Sequence, residues 1–156
     1  MGMFNIIACC IDLTEHNTPI VEYTREVARL TQAKILLVHI LPAASHLDSV
    51  GTTAEVIHAA MEESRRETEG YVAKFAAEKF AGLPCEPCIL TGSMAKALEN
   101  LVDEKCVDLV IMGSMNSHGL FNLVGYSTAQ VIGHSRVPVL IIPNELDLDC
   151  KPDSTF

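Results

Sequence analysis

Short apolar runs alternate along this chain with longer stretches whose apolar residues recur every three or four positions. The first run, residues 4–11, is continuous instead of alternating, which reads as a strand buried on both faces. It stops at Asp12-Leu13-Thr14. Thr18 followed by Pro19 reads as a helix start, a capping hydroxyl with proline at the first helical position. Ile20, Thr24, Val27, Ala28 and Thr31 then share one helical face. A second apolar run, residues 35–41, closes at Pro42. Beyond a loop through Gly51, the spacing of Ile57, Met61, Thr68, Val72 and Phe75 predicts the inner face of a long helix. Glu62, Glu63, Arg66, Glu69 and Lys74 lie on its far side, and Gly82 is expected to end it.

The third strand is expected around residues 86–90, where Pro84 and Pro87 suit a sheet edge and not its centre. A helix over residues 95–104 turns Leu98, Leu101 and Val102 inward. A strand over 107–112 ending at Gly113, a helix over 127–135 and a strand over 137–142 complete the pattern. Strict alternation of strand and helix predicts an α/β fold. It is a single open five-stranded parallel sheet of order 3-2-1-4-5 with helices on both faces, Rossmann-like. One domain is expected over residues 1–143. Residues 144–156, with Glu145, Asp147, Asp149 and Asp153, are expected to form an acidic, mobile tail.

Composition narrows the function. A chain of 156 residues, 49% of them hydrophobic, is long enough for a real core. A net charge of −9 repels phosphate backbones and argues against nucleic acid as a partner. No apolar run approaches the roughly 20 residues that span a bilayer. Residues 1–5 lack the basic flank of a secretory signal, so a cytoplasmic location is expected. The six cysteines show no repeated spacing and predict no disulfide framework. Cys9 and Cys10 read as small hydrophobes. Cys85 and Cys88 are spaced as a redox or metal pair, but no second pair exists and no helix follows them, so a structural role is expected.

In open parallel sheets, ligands lie beyond the carboxyl ends of the strands where strand order reverses, here between the first and fourth strands. The loops at that point carry Asp12, Thr14, His16, Gly113, Ser114, Asn116, His118, Gly119, Gly125, Ser127 and Thr128. Glycines after a strand admit close backbone approach to a phosphate, and a helix opening near Ser127 offers free N–H groups to an anion. Asp12 reads equally as a ligand contact, with or without Mg, and as a carboxylate capping its own turn. Phosphotransfer is disfavoured, because the ends of the third and fifth strands hold Thr91-Gly92 and Ile142-Pro143 instead of the acid and lysine it needs. His16 and His118 are either a metal or acid–base pair or solvated loop residues, and the second is favoured. His39 reads as a hydrogen-bonded core histidine. No phosphate-loop, dinucleotide or nucleophile-elbow motif occurs, and no catalytic set is evident.

Residues 108–113, the loop after them and residues 137–143 resemble the C-terminal half of universal stress proteins. Ile11-Asp12-Leu13-Thr14 resembles that family's first strand end, and Thr91-Gly92-Ser93 its turn after the third strand. The resemblance implies a stress-response module, a homodimer through strand 137–142 and a nucleotide site for ATP or AMP, with Mg only if a triphosphate binds. It places adenine against the backbone at Val38 to Leu41, with Val38 and Ile40 as contacts, ribose near Asp12 and Gly113, and phosphates toward Asn116, Ser127 and Thr128, with Gly125 also among the binding residues. The family's ATP-binding members carry Gly, two residues, Gly, nine residues, then Gly-Ser or Gly-Thr. Here Gly113 matches, Asn116 replaces the second glycine, and Tyr126 stands before Ser127 where the last glycine belongs. The function expected is therefore weak adenine-nucleotide binding that regulates an unknown protein partner, without enzymatic activity. A slow Asp12-dependent, Mg-assisted nucleotide hydrolase or phosphotransferase and a ligand-free dimeric partner surface stand as alternatives.

Overall fold

The computed structural model describes residues 2–13, 17–43, 51, 53–114 and 125–143. The expected tail, residues 144–156, lies outside them. The elements run β1 (Ile6–Cys10), α1 (Thr18–Thr31), β2 (Lys34–Leu41), α2 (Ala54–Lys79), β3 (Cys85–Thr91), α3 (Met94–Lys105), β4 (Leu109–Gly113), α4 (Tyr126–His134) and β5 (Val139–Ile142). The strands form one five-stranded sheet in the order β3-β2-β1-β4-β5, with every pairing parallel. This is the Rossmann-like α/β fold that the alternation of elements predicts.

Strand alternation divides the core in two. Ile7, Cys9, Ile35, Leu37, Leu109, Ile111 and Ile142 face one side and pack with Ile20, Val21 and Ala28 of α1 and Val72, Ala76 and Phe80 nearby. Ala8, Cys10, Leu36, Val38, Val110 and Met112 face the other, against Leu98 and Leu101 of α3 and Val131 of α4. Both faces of β1, β2 and β4 are thus covered, which is why those runs are apolar without a break. At the opposite end from the expected site, Asp108 ties β4 to β1. Its carboxylate accepts from the Asn5 N–H at 2.8 Å and the Ile6 N–H at 3.2 Å.

The prolines explain themselves at β3. The Ile35 N–H donates to the Pro84 carbonyl, and Leu37 stands opposite Pro87. Even-numbered positions of β3 therefore turn their main-chain groups toward β2, and Pro87, an odd position, turns its missing N–H to the open edge.

Several boundaries shift. Thr18 is the first helical residue of α1, and the N-cap is Asn17, whose side chain makes no capping bond. α2 ends at Lys79, and Gly82 adopts φ +81° in the turn that follows instead of closing the helix. β4 and β5 begin two residues later than expected, at Leu109 and Val139. α2 has 26 residues, of which Thr68, Val72 and Ala76 are buried. A helix of that length runs about 39 Å against about 27 Å for β2, so its first half overhangs the sheet. Ile57 and Met61 are accordingly only half-buried.

Candidate functional site at the C-terminal edge of the sheet

β1 and β4 are neighbours from which the chain departs in opposite directions, toward β2 and toward β5. Their carboxyl ends frame the crevice in which doubly wound proteins hold ligands. The Ile11 N–H donates to the Val38 carbonyl at 2.9 Å, the last rung between the two chains. β2 continues past that rung to Leu41. By ladder alternation, Ile40 is the next residue of β2 whose N–H and C=O point to the β1 side. Val38, by contrast, has a fully buried side chain and a carbonyl already engaged by Ile11. Of the two adenine contacts expected on β2, only Ile40 turns main-chain groups into the crevice.

Asn17 shapes the Asp12 side. It is only 4% exposed, its Nδ2 donates to the Asp12 carbonyl at 2.7 Å, and its Oδ1 accepts from the Asp12 N–H at 3.4 Å. This two-bond clamp sets the direction in which Asp12, partly exposed, leaves β1. His39 has Nδ1 3.1 Å from the Ile11 carbonyl, so it is hydrogen-bonded as expected, but it is only partly buried and not a core residue.

The β4 side is a knot of main-chain bonds. The Ser114 N–H donates to the Ile142 carbonyl at 3.0 Å, and the Ser114 carbonyl accepts from the Gly125 N–H at 3.1 Å. Gly125 is the N-cap of the nine-residue α4. The N–H groups of Tyr126, Ser127 and Thr128 form its first turn, where no intrahelical carbonyl reaches them and an anion is favoured. Thr128 is fully buried and its hydroxyl donates to the Gly113 carbonyl at 3.2 Å. That hydroxyl holds α4 to β4 and is buried, whereas Ser127 is partly exposed. Tyr126 is 81% exposed. Its ring fills no part of the described crevice, so its departure from glycine acts through the Cβ and backbone alone. Ser114 Oγ is buried with no hydrogen-bond partner among the described residues.

Asn116, Thr14, His16, His118 and Gly119 lie outside the described residues. Sequence reasoning names Ser114 only as a loop residue and gives Asn17 no role. An Asn just before Thr-Pro signals a side chain that folds back on its own loop.

Among the described residues the cysteines form no site. Cys85 packs with the α1/α2 core and Cys88 with the α3/α4 core, so their side chains leave opposite faces of β3 and cannot close on one metal. Among the described residues no three His, Cys, Asp or Glu side chains group to hold a metal. Burial pushes the Cys9 thiol up to about 12 and Cys85 to about 11, and raises Cys10 further. These thiols stay protonated and unreactive at neutral pH. Elsewhere, a groove of about 900 Å³ runs between α1 and α2 past Arg25, Arg29, Tyr71, Phe75 and Lys79. The Arg25 guanidinium spans it to the Lys79 carbonyl at 2.9 Å.

An open parallel sheet with helices on both faces and a topological switch point between β1 and β4 defines the class of doubly wound α/β folds. The sequence matches the universal stress protein family over residues 3–143, and the chain belongs to that family. No curated protein matches it by sequence. Among solved structures, the hypothetical protein MJ0577 is similar at 20% identity and a TM-score of 0.77, covering 93% of this chain and 99% of its own. A universal stress protein from Archaeoglobus fulgidus in complex with dAMP is similar at 20% identity and a TM-score of 0.58, with 91% and 99% of the two chains covered. A universal stress protein in complex with cAMP gives 21% identity and a TM-score of 0.60, with 93% and 100% covered. At these identities the likeness speaks for the fold. No described helix is long and apolar enough to cross a membrane.

Proposed function

We propose that this protein is a cytoplasmic nucleotide-responsive module: a homodimer that holds an adenine nucleotide weakly and changes its engagement of a protein partner with occupancy. The observation that carries the reading is the convergence at the switch point of Ile40's main chain, the Asn17-clamped Asp12 loop and the first turn of α4. Apolar β2 suits a flat base, the Asp12 turn suits ribose hydroxyls, and the N–H groups at Ser127 suit one phosphate. The family's complexes with cAMP and dAMP support the choice of adenine. Mg enters only with a triphosphate.

The module binds and does not catalyse. Ser127 and Asp12 are partly exposed polar residues of the described crevice, and in this reading they serve to hold the ligand. Mass spectrometry of small molecules released from protein purified without added nucleotide tests the reading. AMP or a related adenine nucleotide is expected, and a released ligand without a purine would overturn it.

A further inference from the structure

α1 and α2 lie side by side on one face of the sheet, and the Arg25 bond to the Lys79 carbonyl sets their register. One turn back along both helices, Phe75 comes level with Val21, and one further turn brings Tyr71 level with Thr18. The groove between them therefore has two unlike ends. Toward the carboxyl edge of the sheet it is walled by Leu13, Val21, Tyr71 and Phe75. Leu13 is 46% exposed and Tyr71 47%, and the Tyr71 and Phe75 rings lie 6.2 Å apart, so apolar surface is left facing water. Toward the other end Arg25, Arg29 and Lys79 collect.

Charge decides what fits. Arg29 pairs with Glu26 at 2.9 Å, which leaves Arg25 and Lys79 against the one further carboxylate among the described lining residues, Glu22. The groove is thus cationic in a chain of net charge −9. Arg25 is half-buried, and its bond to the Lys79 carbonyl answers one of the free carbonyls at the end of α2. A guanidinium fixed in this way offers its remaining N–H groups to a carboxylate at little further cost in entropy. The groove's volume of about 900 Å³ falls within the range of about 300–1,000 Å³ usual for small-molecule sites.

We propose that the α1/α2 groove is a ligand site of its own, for a small amphipathic carboxylate whose apolar body lies on Val21, Tyr71 and Phe75 and whose charge meets Arg25 and Lys79. Both halves of such a ligand are needed. An anion without an apolar body gains little from two partly solvated cations, and a neutral apolar molecule takes water from those cations without replacing it. The groove lies between two helices and apart from the crevice between β1 and β4, so the inference stands or falls independently of the nucleotide reading.

The probe is 8-anilinonaphthalene-1-sulfonate, an aromatic body with one anionic group. Its fluorescence is expected to rise on titration into the wild-type protein and to saturate at one molecule per chain. Tyr71→Ser and Lys79→Gln, both at exposed positions, are each expected to weaken binding about tenfold. Lys74→Gln, on the far side of α2 where Lys74 pairs with Glu78, is expected to leave it unchanged. Decanoate is expected to displace the probe, decanol to do so at least about tenfold less well, and AMP not to displace it. Absence of saturable binding, unchanged affinity in either groove variant or an equal loss in Lys74→Gln overturns the inference. So does displacement by AMP, or by decanol as readily as by decanoate.

Discussion

Cys9 donates nothing to chemistry, yet it makes the protein sensitive to alkali. Its thiol is fully buried, it accepts a hydrogen bond from Thr24 Oγ1 at 3.3 Å, and burial lifts it from 9.0 to about 12. Cys10, its neighbour on the other face, is raised by the same cause and by Cys9 itself. The folded state thus keeps protons that the unfolded chain gives up above pH 9. Stability is fully present below that pH and falls as pH rises toward 12, since the unfolded chain binds fewer protons over that interval. The expected result is a midpoint of thermal unfolding that is flat from pH 7 to 8.5 and declines above about 9. Cys9→Ala with Cys10→Ala should lower stability at neutral pH by leaving small cavities and flatten the alkaline slope. An unchanged slope in that variant would contradict the assignment. Residue types alone announced these two thiols as small hydrophobes. The Asn17 clamp and the Ser114 hydroxyl were less legible, because both depend on loop geometry that periodicity does not encode.

At the scale of elements, most of the fold was legible because strands covered on both faces must be apolar without a break. β1, β2 and β4 meet that condition, and their runs stand out. β3 was the hardest to read from its residues, with a proline and a glutamate in seven positions. Its edge position was nevertheless legible from Pro87, whose missing N–H is harmless only where no further strand pairs. What the pattern misjudged lies at element ends. Val137 and Pro138 look like strand, but the Val137 carbonyl accepts from Ser135 Oγ at 2.7 Å and holds the turn. Likewise the face of α2 was read as inward along its length, whereas only its second half reaches the sheet. Of the candidate site, the strand ends were legible and the division of labour was not. Thr128 and Val38 spend their groups on the fold, while Ile40 and Ser127 remain directed outward.

For the whole molecule, β5 is the outer strand on one flank of the sheet among the described residues, and Val139, Leu140 and Ile141 are only half-buried. Val110 N–H donates to Pro138 and Ser114 N–H to Ile142, so even positions of β5 serve β4 and the main chain of Val139 and Ile141 faces the edge. Leu140 packs against the α1/α2 core, and a charge there would strain the fold as well as any interface. Ile141→Pro is the sharper probe of dimerisation, because it removes an edge N–H without touching the β4 ladder. The expected variant is a folded monomer in sedimentation where wild type is a dimer. A dimeric variant would show that the copies meet elsewhere. The edge strand and the candidate site meet at one corner of the molecule, since Ser114 bonds both Ile142 and the cap of α4.

The central claim is an adenine nucleotide at that corner, and equilibrium titration of AMP and ATP into the wild-type protein tests it most directly. Asn116 and Tyr126, where glycines would let the backbone approach outer phosphates, leave the ATP tail with little to hold it. Saturable binding of both is predicted, with ATP within about tenfold of AMP, a difference of at most about 1.4 kcal/mol. Binding of neither at millimolar concentration would contradict the account.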